Sequence, residues 1–209
     1  MPGPFPTLLA FLVAVPLASL LQEFGVLRAL AFFGAQGLGA PQDARTLARK
    51  NASLAGWVVL PVVSFIGHFL HIPLPYIGFG RPALHMEPAS PLEKRQWVRA
   101  HLAAELFLLI PGLVLLLPYK YLLRPFAPTG LTQFVAIIIH YFFFLAVANL
   151  VPVPPLLLGR ALAPFYVLTR SRLVPALKVI LVVCVVADAA PGWGFVAWIY
   201  DFCADLVSG

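Results

Sequence analysis

The sequence predicts an all-α, polytopic integral membrane protein with about five to six membrane segments, one of them a re-entrant hairpin. Three observations carry that expectation. Of the 209 residues, 61% are hydrophobic and only 11% are charged, whereas a soluble domain carries roughly 25% charged residues. Mean hydropathy is +0.94, so there is too little polar side chain to cover a water-facing globule. The apolar residues also fall into runs of membrane-spanning length, with polar and basic residues gathered between them. The length suits a single membrane domain, 1–209. It divides into a first transmembrane helix (1–22), a core (23–165), and a last helix with its tail (166–209).

Taken in order, 5–21 is the first apolar run. It lacks a basic leading region and reads as a retained transmembrane helix rather than a cleaved signal. A second, marginal span is expected over 24–38. It contains Arg28, which would need neighbours to shield it, and it ends in Gly37-Leu38-Gly39-Ala40-Pro41, a helix stop. After a polar connector with Arg45, Arg49 and Lys50, the apolar stretch 54–79 is interrupted by Pro61, Pro73 and Pro75. It is long enough for one span and too short for two, and its prolines suit a hairpin that re-enters.

Residues 80–99 are the most polar stretch. Helices are expected over 102–117 and over 134–151, the second dense in aromatics at Phe134, Tyr141, Phe142, Phe143 and Phe144. Four consecutive aromatics cover every side of a helix, so some are expected to face lipid or a partner. Pro152-Val153-Pro154-Pro155 cannot continue a regular helix. Residues 156–168 are apolar, and 173–190 form the last span. The tail 191–209, with Trp193, Trp198, Tyr200, Asp201 and Asp205, reads as interfacial.

The formal charge of +6 resides in loops between apolar runs rather than in a basic stripe interleaved with exposed aromatics. That argues for anionic lipid and against nucleic acid as a partner. If 54–79 re-enters, the loops holding Arg45, Arg49, Lys50, Arg81, Lys94, Arg95, Arg99, Arg160, Arg170 and Arg172 share one side. The positive-inside rule makes that side cytoplasmic and the membrane the cell (inner) membrane. The two cysteines, Cys184 and Cys203, form no CxxC or Cys/His cluster and suggest neither a zinc knuckle nor a disulfide framework.

Two segments carry a motif. One is Asn149-Leu150-Val151-Pro152-Val153-Pro154-Pro155-Leu156-Leu157-Leu158-Gly159-Arg160. The other is Phe79-Gly80-Arg81-Pro82-Ala83-Leu84-His85-Met86-Glu87-Pro88, followed by Arg95 and the small residues Ala100, Ala103 and Ala104. The first resembles Asn-x-x-Pro-x-Pro-Pro-Leu-Asp-Gly-x-Arg, and the second resembles Gly-x-x-x-Pro-Val-x-x-x-Pro, of the site-2 (M50) intramembrane metalloproteases, in their compact bacterial subgroup. Leu38-Gly39-Ala40-Pro41 is similar to the Leu-Gly-Asp-Pro that follows the zinc helix there. Order and spacing agree over 20–165.

The resemblance implies an M50-like core in which Gly80, Pro82, Pro88, Asn149, Pro152, Pro154, Pro155, Gly159 and Arg160 are structural motif positions. It also implies which chemistry is gone. A zinc protease needs two histidines at i and i+4, a glutamate beside the first, and a third ligand. Counting back from Leu38-Gly39, the His-Glu-x-x-His positions fall on Leu27, Arg28 and Ala31, and the aspartate position falls on Leu157. All the ligands and the base are replaced, and a fixed positive charge at Arg28 would repel a metal cation.

Other residues offer weaker sites. His68 and His71 could share a helix face and, with Glu105 or His140, collect a metal. The plainer reading makes them buried or interfacial histidines bonded to carbonyls. Glu105 and Asp188 lie near helix ends, where snorkelling or a salt bridge, Glu105 with Arg99 or Lys120, is expected in preference to a proton relay. No catalytic residue, metal or cofactor is therefore expected. The leading expectation is a pseudoenzyme, an accessory subunit held among other membrane subunits and lipids. A protein that binds or transports a small molecule or ion through proline-broken segments is one alternative. A divergent intramembrane metalloprotease is the other.

Overall fold

The structure is a computed structural model that describes residues 4–34, 43–70, 78, 80, 90–151, 156–165, 198, 202–203 and 205–207. Among the described residues the chain is helical, with no strand. Helix α1 spans Pro4–Phe32, 29 residues without interruption. This corrects the expectation of separate segments at 5–21 and 24–38, and the division at 22/23 falls in mid-helix. Gln22 and Glu23 gave the appearance of a break, but both are good helix formers and both are buried. Pro16 lies inside α1, and the Ser19 hydroxyl donates to its carbonyl at 3.0 Å.

Helix α2, Ala44–Asn51, begins at Asp43, whose carboxylate accepts from the Thr46 amide at 2.7 Å. Arg49 and Lys50 lie in its last turn, the favourable end of the helix dipole. A π-helical turn, Ala55–Val59, then leads into α3, Leu60–Phe69. The Ser53 hydroxyl accepts from the Gly56 amide at this start. The axis turns by 75° between Ala44–Asn51 and Ala55–Gly67, as in a broken span or a re-entrant loop.

Helix α4, Pro91–Ala104, opens on a capping box. Ser90 accepts from the Glu93 amide, Glu93 accepts from the Ser90 amide, and Pro91 takes the first helical position. The polar stretch expected over 80–99 is thus helical from Pro91 onward. Helix α5, Leu106–Pro118, follows after an irregularity at Glu105. A π turn at Tyr119–Leu123 and the short α6, Arg124–Phe126, complete a 36-residue span, Pro91–Phe126. Helix α7, Thr129–Ala148, is followed after the proline-rich segment by α8, Leu157–Leu162, and a 3-10 turn, Ala163–Phe165.

Helix α1 packs against both α4 and α7, α5 packs against α7, and α8 packs against α4. The largest core cluster joins Phe11, Ala14, Val15 and Ala18 of α1 to Leu108 and to Ile139 and Tyr141–Ala146 of α7. The alanines of α1 recur at helical spacing, which lets the backbones approach. Tyr141, Phe142, Phe143 and Phe144 are all buried, so none of them faces lipid, against the expectation. Cys203 and Val207 belong to this same core, so the described part of the tail packs on the bundle, while Trp198 is exposed.

Outward, large apolar side chains form stripes: Leu9, Val13 and Leu17 on α1, and Leu106, Ile110, Leu113 and Leu117 on α5. Water would penalise such a surface; hydrocarbon would not. Three described helices are long and apolar enough to cross a membrane, or four if the bent pair counts as one span. Helix α8 is too short to cross. The segment 173–190 lies outside the described residues.

Candidate functional site

The site is a polar junction in an otherwise apolar interior, where α1, α4, α7 and α8 meet. From α1 come Ser19, Gln22 and Glu23, one helical turn apart on one side. Asn51 comes from the end of α2, and Asn149 and Arg160 come from either side of the proline-rich break. These residues, with Gly80, Leu145 and Leu156, line a cavity whose empty space, open mouth included, is about 320 Å³.

Several of the polar groups have specific partners. Arg160 Nη1 donates to Glu23 Oε1 in an ion pair whose side chains are only 12% and 3% exposed. Ser19 Oγ lies 3.0 Å from Asn51 Oδ1 as well as from the Pro16 carbonyl, so its one proton is shared between the two acceptors. Trp97 Nε1 donates to the Arg160 carbonyl at 3.1 Å, which ties α4 to α8. The Asn149 side-chain Oδ1 accepts from the Leu157 amide at 3.2 Å, and its backbone carbonyl accepts from the Leu158 amide at 3.0 Å. Asn149 therefore satisfies the first free amides of α8, whose own N-cap, Leu156, offers no side-chain bond.

Gly80 sits here because nothing larger fits. A Cβ at Gly80 would collide with the Asn51 side chain, which is itself fixed by Ser19. Asn149, Arg160 and Gly80, three of the motif positions, thus line the same cavity. Gly159 is buried in α8. Pro82, Pro88, Pro152, Pro154, Pro155 and His71, as well as the His68 side chain, lie outside the described residues.

The positions that the resemblance gives to zinc fall in different surroundings. Leu157 is 1% exposed and belongs to one apolar cluster with Val26, Ala29 and Leu30 of α1 and Trp97, Ala100 and Ala104 of α4. Leu27 belongs instead to a separate cluster with Leu47. Arg28 is exposed, with its guanidinium 4.9 Å from the centre of the Phe24 ring, and Ala31 is half-buried. The i, i+4 pair of α1 that shares a cluster with Leu157 is Val26 and Leu30, one residue earlier than Leu27 and Ala31. Arg28 also needs no protein shield, since it reaches outward over an aromatic ring.

Sequence reasoning missed Ser19, Gln22, Glu23 and Asn51 and misjudged Glu105. Glu105 sits at the joint of α4 and α5, inside the Pro91–Phe126 span, and is 8% exposed. It forms no ion pair with Arg99 or Lys120 among the described residues. Its carboxylate faces the Asn149 amide. The available signal was the position of acids inside apolar runs, at Glu23 and Glu105 alike, and that is where membrane proteins place function. Among the described residues, no three His, Cys, Asp or Glu side chains stand together as metal ligands.

The described architecture is that of a helical protein with membrane-length apolar helices around a buried polar junction. Compared with known proteins, the chain matches no family model, no curated protein and no solved structure.

Proposed function

We propose that the chain is a non-catalytic, M50-like membrane protein that serves as an accessory, structural subunit of a larger membrane complex, with its basic loops cytoplasmic. One observation carries the reading. The position where the motif would deliver an aspartate is Leu157, and Leu157 is packed in an apolar cluster with Val26, Ala29 and Leu30. A hydrocarbon side chain there offers a metal no lone pair. The motif residues around it have an evident structural use, with Asn149 satisfying the amides of α8 and Arg160 anchoring α8 to α1. A fold kept for its shape fits a subunit, and the outward stripes on α1 and α5 offer lipid or partner helices a surface. The experiment is purification in mild detergent with elemental analysis. The reading expects defined membrane proteins in fixed proportion and no zinc. About one zinc per chain, lost on His68→Ala or His71→Ala, overturns it.

A second reading, binding of a small polar solute or ion, is favoured by the cavity itself. Ser19, Gln22, Asn51 and Asn149 line it inside a chain that is 61% hydrophobic. Ligand pockets of this kind combine apolar walls with a few placed polar groups. Solute-dependent thermal stabilisation that Asn51→Ala or Ser19→Ala abolishes is the test of this reading.

A further inference from the structure

The Pro91–Phe126 span presents one continuous stripe to the outside. From Leu102 through Leu106, Ile110, Leu113 and Leu117 to Tyr121, exposed side chains follow at every third or fourth position. Arg99 and Arg95 continue the same spacing beyond Leu102, and both are exposed. The distance from Leu102 to Tyr121 is about 28 Å of helix, close to the roughly 30 Å of hydrocarbon in a bilayer. Tyr121 thus reaches one edge of the hydrocarbon, where amphipathic aromatics gather. Arg99, one turn past Leu102, reaches the other, where lipid phosphates begin.

Helix α1 brings a third cation to the same level. It runs antiparallel to the α4–α5 span. Gln96 Nε2 donates to the Phe33 carbonyl at 2.8 Å at one end of their seam, and the Phe24 and Phe107 rings meet edge to face, 6.0 Å apart, further along it. Arg28 stands five positions from Phe33 and Arg99 three from Gln96, so the two differ in level by only about 3 Å. Phe107 follows Leu106 of the outward stripe by one residue, so Phe24 floors the seam beside that stripe. The exposed Arg28 guanidinium lies over the Phe24 ring. A guanidinium over a ring face keeps its N–H edge open to an anion. Among the described residues, no carboxylate pairs with Arg28, Arg95 or Arg99. The ion pair found there is Glu23–Arg160, and Glu93, the acid nearest Arg95 in sequence, is tied into the capping box.

We propose that Arg28 and Arg99, with Arg95 one turn further out, hold the phosphate of one anionic phospholipid whose acyl chains lie along Leu102, Leu106 and Ile110. Charge complementarity and level together select this occupant. A carboxylate presents two oxygens in one plane and suits a single guanidinium fork. A phosphate presents oxygens on several sides, so forks from two helices hold it together. The exposed hydrocarbon side chains directly below the cations match the chains of a lipid and have no use for a free phosphate ion. This is a single, saturable site, distinct from diffuse attraction of the basic loops to an anionic surface.

The test is the thermal unfolding midpoint of the full chain in a zwitterionic detergent, with phosphatidylglycerol or phosphatidylcholine of the same chains added as mixed micelles. Phosphatidylglycerol raises the midpoint saturably, because binding to the folded state stabilises it by mass action. Phosphatidylcholine and inorganic phosphate give no such rise. Arg28→Gln and Arg99→Gln each raise the phosphatidylglycerol content needed for half the effect by about fivefold, and the double variant loses the response. Lys120→Gln, at the far end of the span, responds like the parent. All three are partly or fully exposed positions, where such substitutions leave folding intact. An equal rise with phosphatidylcholine, a rise with inorganic phosphate, a response that survives in the double variant, or one weakened as much in Lys120→Gln overturns the proposal. No rise with phosphatidylglycerol also overturns it, and leaves the stripe to an acidic helix of another protein.

Discussion

Glu23 of α1 and Arg160 of α8, 137 positions apart in sequence, form an ion pair inside the helix bundle. The pair fixes the helix after the proline-rich segment to the first helix. Breaking a buried pair strands a charge, at a cost of about 3–5 kcal/mol, whereas replacing both members with apolar residues of like size is often neutral. Glu23→Ala and Arg160→Ala should each lower unfolding stability by about that much. Glu23→Leu with Arg160→Met should recover most of the loss. Denaturant titration of the single and double variants in one detergent checks this; additive losses in the double variant count against a mutual pair.

Leu157 separates the scaffold reading from a latent metal site. Leu157→Asp places a carboxylate in the cluster with Val26, Ala29 and Leu30. A charge at membrane depth costs on the order of 2–3 kcal/mol on insertion scales. The variant should lose about that much stability and bind no zinc, while Leu157→Ala should lose about 2–5 kcal/mol through the cavity it opens. Unfolding in detergent, with metal analysis of Leu157→Asp, is the measurement. A Leu157→Asp protein as stable as the parent and holding zinc would sink the scaffold reading.

Much of the architecture was legible because the bilayer imposes it. Runs at 102–117 and 134–151 became parts of Pro91–Phe126 and Thr129–Ala148. The break expected at Pro152 begins at Asn149, where α7 ends. Composition could not show that Gln22 and Glu23 lie inside a helix, because a polar pair in an apolar run reads as a loop until a distant Arg160 is seen to neutralise it. Likewise, hydropathy weighs the apolar 102–117 and not the capped turn at Ser90, which starts α4 early and leaves Glu105 at the α4–α5 joint inside one long span. The aromatic run misled for a related reason. Periodicity tells how many faces a helix must hide, and burying all of α7 around Tyr141–Phe144 depends on α1, α5 and the tail arriving from elsewhere in the chain.

Gly80 and Asn51 give a test of the cavity wall. A methyl group at Gly80 meets the Asn51 amide, which cannot swing away without losing its bond from Ser19. Gly80→Ala should destabilise the protein by about 1–3 kcal/mol, the usual cost of overpacking. Asn51→Ala in the same chain should relieve part of it, so the double-mutant cycle yields a favourable coupling. Independent, additive losses would mean that the two residues do not touch.

The proposed cytoplasmic side of the basic loops rests on their charge. Residues 80–99 and 160–172 should both be cytoplasmic, so cysteines placed at Ser90 and Ser171 in a chain lacking Cys184 and Cys203 should resist an impermeant thiol reagent added outside intact cells. Both should label once the membrane is opened. Labelling of one and not the other from outside would put an odd number of crossings between them.

Asp43 supplies a pH dependence whose sign is set by its cap. The backbone amide of Thr46 donates to its carboxylate, and the Thr46 hydroxyl donates too, at 2.7 and 2.9 Å; together they hold the Asp43 pKa below the ordinary carboxylate value. A group whose folded pKa is depressed contributes stability above its unfolded pKa, about 3.9 for aspartate, and loses it as pH falls through the folded value. Protonation removes the charge that the helix dipole and both donors favour. The first turn of α2 should therefore open as pH falls below about 4, leaving the α1–α4–α7 core in place. Asp43→Asn keeps a capping acceptor without a titrating charge, so its α2 should show no such transition. Amide hydrogen exchange at Thr46 and Leu47 across this range reads the effect directly, because Leu47 donates to the Asp43 carbonyl in the same turn. Exchange at these amides that is flat with pH, after correction for intrinsic rates, or that rises equally in Asp43→Asn, would show that the carboxylate charge does not hold the turn.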